Sequence, residues 1–328
     1  MAQQDGSLDR NTTAQPANMT RTHRIVWGDN LPFLRSLPDG CVDFIYIDPP
    51  FNTGRQQRRI RLRTVQDPHG DRTGFQGRRY RTLKIGSLAF ADIFDDYLAF
   101  LEPRLVEAHR VLAPHGSLFV HLDYREVHYV KVLLDAIFGR ASFLNEIIWA
   151  YDYGGRSKRR WPAKHDNLLW YAKDPRHYTF NYEAMDRIPY MAPGLVGPEK
   201  ARRGKTPTDV WWHTIVPTTG RERTGYPTQK PLGVLERIIK VHTNPGDLVL
   251  DFFAGSGTTG EAAAKHGRIF WLVDHHPEAV RIMQRRLAAY APRVERGPDA
   301  SAPSPVTETE PAPASSTVGN DSSFGASP

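Results

Sequence analysis

The chain has 328 residues, enough to bury a substantial core with one small appended domain. Its net charge is +7, but the segment after Arg296 has no Lys or Arg and holds Asp299, Glu308, Glu310 and Asp321; removing that −4 leaves +11 on a basic body suited to a polyanion. A single cysteine, Cys41, excludes an internal disulfide and a cysteine metal site, and with no membrane-length apolar run and no signal-peptide core the expectation is a soluble, cytoplasmic protein without a membrane partner.

Residues 1–22 are polar and aperiodic and are expected to be disordered. Arg24 to Trp27 reads as a short strand, after which Asp29 or Asn30 caps a helix running to about Leu37. Val42 to Ile47 is a buried-strand pattern. From Asp92 to Leu112, apolar residues at Phe94, Tyr97, Leu98, Leu101, Leu105, Ala108 and Leu112 recur at helical spacing and predict an amphipathic helix packed on a sheet. Gly116 to Leu122 reads as a buried strand, Arg125 to Phe138 as a helix, and Leu144 to Trp149 and Leu168 to Ala172 as strands. Lys173 to Tyr226 is irregular and contains the pair Trp211-Trp212. A helix (Leu232 to Val241), a strand entering a glycine-rich turn, a strand (Ile269 to Val273) and a helix (Pro277 to Tyr290) follow. Strands alternating with helices argue for an α/β protein with a mostly parallel sheet covered on both faces.

Two of these strands end in carboxylates with informative surroundings. Asp48-Pro49-Pro50-Phe51 follows the strand at Val42 to Ile47, and its two prolines fix φ and remove two donors. The result is a stiff turn with outward carbonyls, suited with its carboxylate and ring to grip an exocyclic amino group on a flat base. A plain Pro-Pro turn is the alternative reading. Asp251 to Gly260, DFFAGSGTTG, follows Leu248-Val249-Leu250 and precedes a small-residue helix, the arrangement in which backbone N–H groups face a ligand. Gly255 and Gly257 permit close approach or positive φ, whereas a bare strand-to-helix turn would need no ligand. It is not a phosphate loop, because Gly-x-x-x-x-Gly-Lys-Ser/Thr is absent. Asp274 ends the next strand about twenty residues on, a position that suits hydrogen bonds from ribose hydroxyls as well as a solvated strand end.

Asp48-Pro49-Pro50-Phe51 continues as Asn52-Thr53-Gly54, and Pro227-Thr228-Gln229-Lys230-Pro231 precedes the glycine turn. In this order the motifs resemble the beta group of DNA amino-methyltransferases that use S-adenosylmethionine, over roughly residues 23 to 291. The resemblance implies a permuted, Rossmann-like seven-stranded methyltransferase sheet with one antiparallel strand and a small target-recognition insertion. The chain then divides into an N-terminus (1–22), a catalytic half (23–172), a target-recognition region (173–226), a cofactor-binding half (227–291) and a disordered tail (292–328) rich in Pro, Ser, Ala and Thr.

By the same resemblance, Asp48 and the Pro49 carbonyl accept hydrogen bonds from the target amine, Pro50 stiffens the turn, and Phe51 stacks on a base flipped out of double-stranded DNA. The methionine moiety of the cofactor lies over Asp251, Phe253, Gly255, Ser256, Gly257 and Thr258, the ribose at Asp274 and the adenine near Asp29. Lys230 reads either as a partner of the cofactor carboxylate or as a surface lysine. The family usually has His where Tyr226 stands, Pro at Phe252 and Tyr at Phe51. No metal is expected, since His109, His115, His121 and His128 do not form a ligand set. Asp48 favours adenine N6 as the methylated atom, with cytosine N4 as the alternative: cytosine enzymes of this family usually have Ser there, and Asp is the stronger acceptor for an amine.

DNA contacts are expected from Arg55, Arg58, Arg59, Arg61 and Arg63, within a run of nine arginines between Arg55 and Arg81 opposed by Asp67 and Asp71. A solvated charge run is the alternative. Arg156, Lys158, Arg159 and Arg160 form a second basic patch, and basic loops usually contact phosphate. Trp211 and Trp212 are candidates for a small core of the target-recognition region. Two other classes compete. A nicotinamide-dependent oxidoreductase would want Gly-x-Gly-x-x-Gly and would leave Asp-Pro-Pro-Phe unexplained, whereas a DNA-recognition subunit would explain the arginines without chemistry. The sequence leaves open a companion restriction endonuclease and a homodimer.

Overall fold

All six residues of Val42–Ile47 are buried, the signature of a strand covered on both faces, and this strand is the middle of a nine-stranded sheet. The structure is a computed structural model and describes residues 21–51, 55–66, 72–73, 79–92, 96–217, 220 and 222–298, with the backbone alone between 55 and 92. The N-terminus expected to be disordered lies outside the described residues up to residue 20, as does the tail from 299. Arg21 is paired with Asp43, and the Thr22 carbonyl accepts from the Trp271 indole, so order begins before the expected boundary.

The described strands are β1 (Arg24–Trp27), β2 (Val42–Ile47), β3 (Arg55–Gln66), β4 (Arg72–Thr73), β5 (Arg79–Asp92), β6 (Leu112–Leu122), β7 (Phe143–Ala150), β8 (His165–Ala172), β9 (Val210–Trp212), β10 (Leu248–Asp251), β11 (Ile269–Asp274) and β12 (Arg293–Arg296). The helices are α1 (Asn30–Arg35), α2 (Tyr97–Val111), α3 (Val127–Phe138), α4 (Pro198–Arg203), α5 (Leu232–His242), α6 (Thr258–Lys265) and α7 (Pro277–Arg286). The main sheet runs β12-β1-β11-β10-β2-β6-β8-β7-β9. Within the described main sheet only β8 opposes its neighbours, β6 and β7, as the single antiparallel strand expected.

Alternation along the strands feeds two helical layers. Ile45, Ile47, Leu118, Val120 and Leu250 pack with Phe33, Leu101, Leu105, Val130 and Leu134 of α1, α2 and α3. Phe44, Tyr46, Phe119, Val249 and Phe270 pack with Leu235, Ile238, Ala262 and Met283 of α5, α6 and α7. The late-translated strands β10 and β11 sit between β1 and β2, so the permuted halves interleave at the centre of the sheet. The crevice beyond the carboxyl ends of β10 and β2 is therefore a junction between the two halves, where open α/β sheets bind ligands.

Three expectations change. The sheet has two strands beyond the expected seven, one at each edge. β12 lies in the segment read as tail, where it pairs in parallel with β1 and Arg24 bonds Glu295. β9 pairs in parallel with β7, so Trp211 joins the main core instead of a small separate one, while Trp212 is exposed. The arginine run after the Asp-Pro-Pro-Phe motif is no loop: Arg55 to Gln66 pairs antiparallel with Tyr80 to Asp92 in a ladder completed by β4. Helix α2 accordingly begins at Tyr97, capped by Asp96 through the Ala99 amide, and Asp92 closes the ladder opposite Arg55.

β12 generates a stability prediction. Ending the chain at residue 298 should leave the melting transition unchanged, whereas ending it at residue 291 should cost on the order of 1–2 kcal/mol, a few cross-strand pairs. Denaturant unfolding of the two truncations checks this; equal midpoints would make β12 energetically irrelevant.

Candidate active site

Parallel strands bring their final carboxylates to one edge. Asp251 ends β10, Asp274 ends β11, Asp48 follows β2, and Asp29 follows β1 as the cap of α1. They line one cavity of about 420 Å³, within the range of small-molecule sites. Pro49, Pro50, Phe51, Lys230, Phe253, Gly255, Ser256 and Thr258 line it too.

The glycine turn is tied to its strand by carboxylates. Asp251, 2% exposed, accepts from the Phe253 amide at 3.0 Å and from the Thr259 hydroxyl at 2.6 Å. Burial pushes its carboxyl up to about 7, with the charges of Asp48 and Asp274 adding to the shift and both hydrogen bonds opposing it. Asp274 accepts from the Gly255 amide at 2.9 Å and the His276 amide at 2.8 Å. Burial raises its carboxyl as well, against those bonds and the neighbouring His275. Gly255 has φ +50°, and a Cβ there would stand 3.1 Å from the Tyr226 ring, so a side chain would be strained and crowd the cavity wall. Gly257 has the positive φ expected, +74°; its amide donates to the Ala254 carbonyl, and a Cβ would meet Met283 at 2.9 Å. It is absent from the cavity lining and serves packing at the start of α6.

At the far wall, Asn30 donates to the Phe252 carbonyl at 2.7 Å and accepts from Arg104 at 2.6 Å. Arg104 also reaches Asp29 at 3.3 Å and lies 4.0 Å from the Phe100 ring centroid. This buried guanidinium connects α2 to the first strand end. Arg104 shares the apolar face of α2 with Leu101 and Ala108, a buried arginine in an apolar stripe that could have been flagged from sequence.

The Asp-Pro-Pro-Phe turn faces the glycine turn. Asp48 Oδ2 accepts from Lys230 Nζ at 2.5 Å, and the same ammonium lies 4.7 Å from the Phe51 ring centroid. Lys230 thus has the catalytic-motif carboxylate as its neighbour, a partner that was not expected. The other oxygen, Asp48 Oδ1, is buried with no hydrogen-bond partner among the described residues. A buried acceptor left unpaired costs free energy, so it marks where a donor from outside the chain would be taken. The basic patch Arg156, Lys158, Arg159 and Arg160 is exposed on the β7–β8 connection, outside the cavity. Because β7 runs the same way as β6 and β2, that connection leaves the same sheet edge as Asp48. Arg55, Arg58, Arg59, Arg61 and Arg63 lie on β3, where only backbone pairing is described.

A family model described as DNA methylase (N6_N4_Mtase) matches residues 42–285. The chain belongs to this family. It is 29% identical over 276 residues to the DNA adenine methyltransferase YhdJ of Escherichia coli (strain K12), covering 80% of this chain and 82% of that one. It is 28% identical over 264 residues to the type II methyltransferase M.HpaI of Haemophilus parainfluenzae, covering 80% and 74%. Two solved structures share the fold. The M1.HpyAVI–SAM complex has TM-score 0.52 and 22% identity, with 81% and 99% of the two chains covered. PvuII DNA methyltransferase (cytosine-N4-specific) has TM-score 0.55 and 16% identity, with 84% and 96% covered.

A methyltransferase of this family draws its methyl group from S-adenosylmethionine, and the residues fit that molecule. The crevice between the two halves holds buried carboxylates where a cationic, hydroxyl-bearing ligand needs acceptors, and the Gly255 backbone leaves space that a Cβ would take from it. Asp251, Phe253 and the turn from Gly255 to Thr258 would hold the amino-acid end, and Asp274 the ribose.

The raised Asp251 carboxyl has a measurable consequence in the protein alone. Its folded value, about 7, lies above the ordinary 3.8, so between these values the native state keeps a proton the unfolded chain has released. Stability relative to Asp251→Asn is therefore greatest below about pH 4 and falls as pH rises to about 7. Denaturant midpoints of both proteins across that window test it; parallel pH profiles would show Asp251 ionised throughout.

Proposed function

We propose that the protein methylates the N6 amine of an adenine flipped out of duplex DNA. The observation that carries this reading is Asp48: one oxygen is held by Lys230, and the other is buried and unpaired at the mouth of a rigid Pro-Pro turn. An exocyclic amine has two N–H donors and a lone pair delocalised into the ring. Asp48 Oδ1 accepts one N–H and the Pro49 carbonyl the other, which favours a pyramidal nitrogen with its lone pair free. Pro50 keeps the turn stiff, and Phe51 provides the stacking face for the extruded base. Lys230 offsets the carboxylate's charge and leaves a single oxygen to choose from. When bound, S-adenosylmethionine supplies an activated methyl group, so these residues have mainly to align and to exclude water.

Adenine is favoured over cytosine because an aspartate opens the motif: it is acceptor-only when ionised, whereas serine both donates and accepts. The similarity to YhdJ, a DNA adenine methyltransferase by name, points the same way. Asp48→Ala should bind cofactor normally and lose methyl transfer by roughly 10²-fold or more, the scale of a lost catalytic acceptor. Nucleoside mass spectrometry of DNA from a methylation-deficient host expressing the protein identifies the product. N4-methylcytosine alone would overturn the adenine assignment, and near-normal turnover by Asp48→Ala would overturn the role of the carboxylate.

The duplex is placed over the edge where the β7–β8 connection emerges. That connection exposes Arg156, Lys158, Arg159 and Arg160 and a Trp161 that is 95% exposed, a basic and aromatic surface of the kind nucleic acids bind. The region 173–226 is the target-recognition segment on this reading, and the β3 arginines add phosphate contacts. Neutralising Arg156, Lys158, Arg159 and Arg160 together should weaken binding to all duplexes and lower the salt slope by about one per lost phosphate contact. An unchanged salt slope would remove this loop from the DNA interface.

A further inference from the structure

From Tyr46 on the cavity wall runs a polar chain whose hydrogen bonds neither the proposed cofactor contacts nor the proposed base contacts use. His121 on β6 is 0% exposed. Its Nδ1 is 2.7 Å from the Tyr46 hydroxyl on β2, and its Nε2 is 3.1 Å from Asp166 Oδ2 on β8. The Tyr151 hydroxyl donates to Asp166 Oδ1 at 3.0 Å. Burial opposes ionisation of Asp166, but the His121 bond and charge, the Lys230 charge and the Tyr151 bond outweigh it and hold the carboxyl below its ordinary value. Asp166 accepts from the Nε2–H, and Nδ1 pairs with the Tyr46 hydroxyl, which can donate or accept. Every bond in this line therefore has a donor and an acceptor.

We infer that Tyr46, His121 and Asp166 form a positioning network for the methyl-transfer step, acting on the target-base side of the cavity and not on the cofactor. The inference rests on the reading of Asp48 and Phe51 given above. Tyr46 lies two residues before Asp48 and lines the cavity, with its hydroxyl paired to His121, which is not among the lining residues. The His121 ring is 5.8 Å from the Phe51 ring and 5.5 Å from Trp149, so the imidazole backs the proposed stacking surface. Phe51 is approached by Lys230 as well, and Lys230 holds Asp48. The network therefore braces both ends of the four-residue motif, through Tyr46 before it and Phe51 at its close. By contrast, the cofactor side is built from Asp251, Asp274, Asn30 and Arg104, none of which bonds to these three residues.

Three isosteric variants of the full chain test the inference: Tyr46→Phe, Asp166→Asn and the double variant. Single-turnover methylation of duplex DNA should slow by roughly 10- to 100-fold in each single variant, the range for a displaced reacting group. Cofactor affinity and the KM for DNA should stay within about threefold of wild type, because the Tyr46 ring that lines the cavity is kept and only its hydroxyl, paired with His121, is removed. The double variant should be no slower than the slower single one, since both act through His121. Melting temperatures identify any variant that has merely lost stability. Wild-type rate constants per cofactor-binding site in the variants, or a loss confined to stability or cofactor affinity, would overturn the network's role. An inactive wild type would instead overturn the assigned reaction, and the role within it.

Discussion

Parallel register across β1, β11, β10 and β2 delivers Asp29, Asp274, Asp251 and Asp48 to one edge, and the cavity must hold these carboxylates at close quarters. Like charges in a partly desolvated crevice repel, and the structure shows three responses. Lys230 neutralises Asp48 directly. Backbone amides and a threonine hydroxyl satisfy Asp251 and Asp274 without adding charge. Asp251 yields further, since burial lifts its carboxyl to about 7. A ligand carrying positive charge would relieve what the protein alone leaves in tension, and its binding there would be linked to proton release.

Much of this was legible in the sequence because the motifs are local. Leu248-Val249-Leu250 before Asp251, and Val42 to Ile47 before Asp48, announce strands ending in carboxylates, and a covered parallel sheet places such ends together. What the sequence hid are partnerships across distance. Lys230 and Asp48 are 182 positions apart, and Asn30 and Arg104 are 74 apart; the apolar stripe of α2 marks Arg104 as inward, but no periodicity names the partner it meets. His121 reads as one histidine among several until β6 is set between β2 and β8. The short edge strands β9 and β12 carry too few residues for an alternation pattern, and their pairing is decided by the neighbour's open edge. The arginine-rich ladder was read from its charge, although Ile60, Leu62 and Val65 among the arginines suit a strand.

The permuted order of the motifs has little physical consequence once the sheet has formed. β10 pairs with β2 on one side and β11 on the other, so the glycine turn and the Asp-Pro-Pro-Phe turn are neighbours whichever is made first. The lysine belongs to neither turn. It precedes α5, which packs against α6 and the sheet, and Thr258 of the glycine turn donates to its carbonyl at 3.2 Å. The segment carrying Lys230 therefore touches one turn through its backbone and the other through its ammonium.

The unpaired oxygen of Asp48 also bears on selectivity. A buried acceptor without a donor costs about 1–3 kcal/mol, and an amine entering the turn recovers that free energy. A flipped thymine presents a carbonyl where adenine presents N6, so it would leave Asp48 Oδ1 unpaired and set two acceptors against each other. Sites built around a buried hydrogen-bonding group reject analogues lacking the partner far more strongly than apolar pockets reject a change of size. On the proposed assignment, the group that aligns the nucleophile is thus the group that refuses a base without one. The Pro-Pro turn makes this refusal strict, because a backbone with fixed φ and two missing donors cannot rearrange to pair the stranded oxygen.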